Sequence, residues 1–408
     1  MGSEVSSFER WRVLLLMAVA TLSSLTVWFS TSAVAPALES EKGFSSSDIA
    51  WLTVGVQLGF VFGTFIIALT NLADLVNTRM LFAVCAVLAG LSNIALIFVP
   101  DGLVPTLVLR ILTGMFLGGV YPPGMKIIAG WFIKGRGIAI GAMVGALTLG
   151  SGSSHLFNAV VVSNWEITLC VGFILSVMSG SIVRFWVKDG PFDMPALRFN
   201  PRYIIEALSY KPIRLILFGY LGHMWELYAM WASIPVFLIA VYGTRSWFGD
   251  TVNVASLVTF CVFCSGAAGC LLAGWLAERW GRCIVTSIAM ILSGFMAIIV
   301  GFVPLDWTWL ILVLVLIWGA TVIADSAQFS TGLTELVEDS YRGTALAFQM
   351  GMGFLITIFP IKILPIISNS LGWGYAFAFL SIGPLLGIIS MVTLRKLPES
   401  SSMAMGRK

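Results

Sequence analysis

Lys188-Asp189-Gly190-Pro191-Phe192-Asp193-Met194-Pro195 opens the longest polar stretch of this chain, which runs through Arg198, Arg202 and Glu206 to Lys211-Pro212. On its N-terminal side lie six apolar tracts, near 13–36, 49–71, 80–99, 105–128, 138–160 and 167–187. Six more follow it, near 213–241, 251–275, 283–303, 308–333, 343–367 and 373–394. Each is long enough to cross a bilayer core roughly 30 Å thick as a helix. The expected architecture is an all-α integral membrane protein with twelve transmembrane helices in two six-helix bundles. The first bundle is 1–187, the cytoplasmic linker 188–212 and the second bundle 213–408.

Composition excludes the soluble alternatives. The chain is 58% hydrophobic and only 11% charged, whereas soluble domains carry about 25% charged residues. The net charge of +3 is small and scattered, so nothing points to nucleic acid. Cys261 and Cys264 form a C-x-x-C, but no second ligand pair lies near it, so it reads as two small apolar residues one turn apart. Arg10 and Arg12 precede an apolar run ending Ala33-Val34-Ala35. That run exceeds the usual 7–15 residues of a signal-peptide core, so it is read as a retained first span.

Charge orients the spans. Of 23 Lys and Arg residues, Arg110, Lys126 and Lys362 fall within spans. With both termini inside, 18 of the rest lie in inner segments, and only Lys42 and Arg245 in outer loops. The positive-inside rule therefore predicts a multi-pass cell-membrane protein with cytoplasmic termini.

The halves repeat. Leu72-Ala73-Asp74 follows span 2 and Leu276-Ala277-Glu278 follows span 8, an offset of 204. Arg136-Gly137-Ile138-Ala139 precedes span 5 and Arg342-Gly343-Thr344-Ala345 precedes span 11, an offset of 206. Two matches at half the chain length suggest a duplicated six-helix unit, as in secondary transporters.

At these residues the chain resembles the major facilitator superfamily over its full length. Gly274-Trp275-Leu276-Ala277-Glu278-Arg279-Trp280-Gly281-Arg282 is similar to the superfamily's G-x-L-A-D-R-x-G-R loop, with Glu for Asp. The first-half copy, Asp74 with Arg79, lacks both loop glycines. Arg110, Gly114 and Gly118 resemble the family's arginine motif in span 4. Span 5 has Gly141 and Gly145 but then Ala146, where drug exporters carry proline, and it lacks the nitrate-carrier signature. The resemblance implies a pore lined mainly by spans 1, 4, 7 and 10 and alternating access by rocking of the bundles. It implies gating roles for Asp74, Arg79, Arg136, Glu278, Arg279, Arg282 and Arg342.

Ionisable side chains inside a membrane are costly, so each is a functional candidate. His223 and Glu226 are i, i+3 on span 7 and share a face, which makes Glu226 the first candidate for a transported proton. In span 10, Thr321, Asp325, Gln328 and Gly332 fall within about 60° of one another, a polar stripe expected to line a cavity. In span 4, Arg110 and Tyr121 share a face. Lys126 follows Pro122-Pro123-Gly124, a kink that leaves its direction open between the substrate site and the membrane interface. Ser23, Thr26 and Ser30 give span 1 a polar face, and His155 and Lys362 are assigned structural roles.

Together these residues predict a monomeric symporter in contact with membrane lipid and without cofactor or metal. It would move a small polar, anionic solute with protons, using Arg110, Tyr121, Lys126, His223, Glu226, Asp325 and Gln328. The alternatives are a proton-coupled exporter and a non-transporting receptor on the same fold. An embedded enzyme is disfavoured because no H-E-x-x-H or G-x-S-x-G occurs.

Overall fold

The structure is a computed structural model and describes residues 7–70, 72–100, 102–132, 136–160, 164–192, 201–243, 251–338 and 342–407. All regular structure among them is helical. Eleven helices are long and apolar enough to cross a membrane. They are span 2 (Ser46–Thr70), 3 (Thr78–Ile97), 4 (Leu103–Ala129), 5 (Gly137–Val160), 6 (Trp165–Trp186), 7 (Lys211–Gly243), 8 (Thr251–Trp280), 9 (Arg282–Val300), 10 (Thr308–Leu336), 11 (Arg342–Leu371) and 12 (Trp373–Lys396).

The first tract is the twelfth, and it is not one helix. It runs as Ser7–Leu25, Ser30–Ala33 and Ala35–Lys42. Three hydroxyls compete with the helix ladder at the first break: Ser24 Oγ donates to Ala20 O, Thr26 Oγ1 to Ser23 O and Ser30 Oγ to Val27 O. Span 4 breaks at 118–120, before its prolines, and resumes at Tyr121. Pro122 then sits in a first turn, where its missing N–H is no loss. Span 10 breaks between Val322 and Ser326.

The outer surface suits lipid. Leu69, Phe98, Val104, Phe185, Val313 and Leu385 are all exposed, a pattern costly in water but neutral against acyl chains.

Within the first bundle, spans 2 and 4 cross with backbones in contact. A Cβ on Gly59 would stand 1.9 Å from Ile111 O, and one on Gly114 1.9 Å from Val56 O. The four-residue glycine repeat of span 2 (Gly55, Gly59, Gly63) therefore serves packing inside one bundle, not the rocking surface. The bundles meet along spans 5 and 8, where Gly141 faces Cys270 O and Gly145 faces Ala267 O, and along spans 2 and 11. Lys362 of span 11 reaches Ser47 Oγ at 3.1 Å and lies 4.3 Å from the Trp51 ring.

Candidate functional site

Two cavities lie on the interface between the bundles, one toward each end. The larger, about 390 Å³, opens toward the end carrying the linker and is walled by both halves. The first half contributes Thr64, Ala73, Tyr121, Lys126 and Leu147, and the second Tyr220, Met224, Tyr228, Ser326, Ser330, Thr334, Arg342 and Phe354. The other, about 270 Å³, opens at the opposite end between Ser32–Glu39, Ser46–Thr53, Ala232–Ile239 and the ends of spans 8 and 11.

Seven buried rings separate them. Trp28, Phe29 and Phe60 come from the first bundle, and Tyr228, Trp231, Phe263 and Phe354 from the second. Centroids lie 4.6 Å apart for Phe60–Phe354, 5.5 Å for Trp28–Phe354, 5.8 Å for Trp28–Tyr228 and 6.0 Å for Phe29–Phe263. Trp231 continues the partition through Tyr228 and Phe263. Gln57 Oε1 and Thr357 Oγ1 add a polar link of 2.8 Å between the bundles.

The sequence-derived candidates separate into four groups. Tyr121 and Lys126 line the larger cavity, and Lys126 Nζ donates to Ala73 O at 3.1 Å. Tyr121, Tyr220 and Tyr228 place three phenols on the wall of this cavity.

Arg110 is fully buried and turned away from that cavity. It fills the break of span 1. Nη1 donates to Val27 O at 3.1 Å, Ser30 Oγ at 3.1 Å and Asn93 Oδ1 at 3.0 Å, and Nη2 to Trp28 O at 2.5 Å. The polar face of span 1 is spent here too. Asn93 Oδ1 lies 2.6 Å from Ser30 Oγ as an alternative acceptor for its one proton, so this face seals the bundle and does not line a pore.

His223 pairs with Asp325 and not with Glu226. Its Nδ1 lies 2.8 Å from Asp325 Oδ1, and both side chains are buried. Asp325 sits in the break of span 10, between the cavity-lining residues Ile323 and Ser326. His223 stands one position before Met224, another lining residue. Glu226 is held inside the second bundle, its carboxylate accepting from Trp318 Nε1 at 2.7 Å and Ser293 Oγ at 2.8 Å. An i, i+3 spacing allows two side chains to meet but does not exclude better partners on a neighbouring helix.

Gln328 does not line the cavity. Its Oε1 accepts from Arg282 Nη1 at 2.7 Å, and Arg282 grips Glu335 through Nε at 2.7 Å and Nη2 at 2.6 Å. The polar stripe of span 10 is thus an internal seam, and the cavity meets the other face, at Ser326, Ser330 and Thr334.

Of the gating residues, Glu278 reaches the other bundle. A Cβ on Gly137 would stand 2.5 Å from its Oε1, so the carboxylate lies against the head of span 5. Arg79 forks onto Asp189, both bonds 2.8 Å, and so ties the first bundle to the start of the linker. Arg279 lies 3.7 Å from the Trp275 ring centroid. Arg342 Nε donates to Thr334 O at 2.7 Å beside the cavity. The side chains of Asp74 and Arg136 lie outside the described residues. All six cysteines are free, and among the described residues no His, Cys, Asp and Glu cluster suits a metal.

The aromatic partition was the part missed from sequence. Its signal was present: Tyr220, Met224, Tyr228 and Trp231 fall within about 80° on span 7.

Similarities to known proteins agree with this architecture. A benzoate transport protein of Acinetobacter baylyi is 23% identical over 375 residues, covering 83% of this chain and 78% of its own length. A gallate transporter of Pseudomonas putida is 22% identical over 306 residues, 68% of each chain. The fold is that of a solved D-xylose-proton symporter, with TM-score 0.73, 15% identity and coverage of 97% of this chain and 99% of that one. The sequence model of the Major Facilitator Superfamily matches residues 16–249, more than half of the chain, and this membrane transporter belongs to that family.

Proposed function

We propose that the protein imports a small aromatic carboxylate together with protons. The larger cavity carries this reading. Its volume suits a small ligand, its deep wall is aromatic, and Lys126 and Arg342 stand toward the linker end. In this reading the aromatic ring lies among Tyr121, Tyr228 and Phe354 and the carboxylate turns toward Lys126, all on the cavity wall. The names of the benzoate and gallate relatives point the same way. The charge count supports placing the linker end in the cytoplasm.

The test is uptake of labelled benzoate and its hydroxylated analogues into proteoliposomes with an acidic exterior. Accumulation that collapses with the pH gradient is expected, and no uptake of any aromatic acid overturns the reading. Lys126→Gln should raise the half-saturation concentration roughly tenfold, the scale of one lost hydrogen bond to a charged group. An unchanged value removes Lys126 from the site.

Glu278 acts as an inner latch. An exposed helix head carries partial positive charge, which a carboxylate stabilises by about 0.3–1 kcal/mol. Glu278→Gln should therefore shift the population toward the form open at the linker end, roughly two- to fivefold. Thiol labelling of a cysteine placed at Ala347, on the cavity wall, reads this shift. Unchanged labelling counts against the latch.

A further inference from the structure

Trp28 occupies a position that packing alone does not explain. It lies in the break of span 1, and its ring contacts Phe60, Tyr228 and Phe354. Tyr228 and Phe354 wall the larger cavity, so Trp28 stands directly behind that cavity's closed end. The opposite cavity begins at Ser32, four residues further along the same span. A solute crossing from one cavity to the other must pass this ring.

The indole is 1% exposed, and its Nε1–H has no acceptor among the described residues. An indole N–H can only donate. Buried donors are almost always paired, so an unpaired one requires a reason. The local charge supplies one. Arg110 donates to Trp28 O, and no carboxylate among the described residues lies within ion-pair distance of its buried guanidinium. The break of span 1 therefore combines an unneutralised positive charge with an unused donor on a ring of the aromatic partition. That combination suits an anion with an apolar body.

We propose that Trp28 forms a second carboxylate subsite, its Nε1–H donating to the substrate's carboxylate oxygen as the partition parts, with Arg110 as the positioning residue that fixes Trp28 there. This rests on the aromatic-carboxylate reading above. Arg110 is assigned no contact with the solute, because Nη1 and Nη2 bond span 1 and Asn93 and the side chain, its unpartnered Nε–H included, is buried away from the cavity wall. The aromatic acid would move from a station at Lys126 to one at Trp28, its ring exchanging contacts with the partition rings on the way.

Trp28→Phe keeps a ring and deletes the donor. In proteoliposomes, half-saturation for benzoate in counterflow should rise roughly tenfold, as expected for loss of a hydrogen bond to a carboxylate. The maximal exchange rate should stay within about twofold. Toluene, which has the same ring and no hydrogen-bond acceptor, serves as a neutral competitor whose inhibition constant should not change. An unchanged benzoate value overturns the subsite, as does an equal weakening of toluene, which would mark a packing defect. Wild-type protein that exchanges no aromatic acid overturns the substrate reading and this assignment together. Wild-type exchange with an unaffected Trp28→Phe variant overturns this assignment alone.

Discussion

Asp325→Asn should leave counterflow exchange running and abolish accumulation of substrate against a gradient. A symporter must take up and release its proton on a group that communicates with the solute cavity. Asp325 borders that cavity through its chain neighbours, although its own side chain is buried in the seam against His223. It lies in the break of span 10, flanked by two cavity-lining residues, and contacts His223 on the facing helix. Asparagine is a permanent mimic of the protonated acid, so the carrier can still bind and exchange solute but cannot couple. In a one-to-one symport, one pH unit supports about a tenfold accumulation, and in the variant the ratio should fall to one. Glu226 is the competing carrier. Both its oxygens are occupied by Trp318 and Ser293 inside the bundle, and a glutamine can keep the bond from Trp318. Glu226→Gln is therefore expected to fold and still accumulate. Both variants need measuring under the same gradient. Loss of accumulation in Glu226→Gln with retention in Asp325→Asn would transfer the proton to Glu226.

The fold was legible because a bilayer leaves few choices. Every backbone polar group must be satisfied internally there, so an apolar tract of the right length implies a helix. The polar stretch at 188–212 then divided the tracts six and six. What stayed hidden depends on partners distant in sequence. The apolar run of span 1 continues unbroken through Val27, Trp28 and Phe29, and its break is held by Arg110, 83 positions from Val27. The stripe on span 10 was visible, but its direction was not. In a helix apolar all round, periodicity shows that polar residues share a face and says nothing of whether it meets a cavity or Arg282. Aromatic residues likewise gave little contrast in so apolar a chain, so the partition emerged only when Phe60 and Phe354 came within 4.6 Å.

Arg110→Met should lower stability by about 2–6 kcal/mol and leave no transport even at saturating solute. The guanidinium satisfies two carbonyls that the break of span 1 removes from the helix ladder, Val27 O and Trp28 O. Each buried acceptor left without a donor costs about 1–3 kcal/mol. Removing the charge also relieves its desolvation, which moves the net loss toward the lower end of that range. Function should fail more completely than stability. Without the clamp, the cheapest repair is to rewind Thr26–Phe29 into helix, which turns Trp28 and Phe29 out of the partition. Arg110→Lys separates this role from direct substrate binding. Lysine keeps the charge, but a single ammonium cannot reproduce the planar fork that bonds Val27 O, Trp28 O, Ser30 and Asn93 together. It should also unfold earlier than wild type in thermal melts in detergent, with or without benzoate. If Arg110→Lys instead melts like wild type and transports at the full maximal rate with only a raised half-saturation concentration, Arg110 contacts the solute directly and the clamp is wrong.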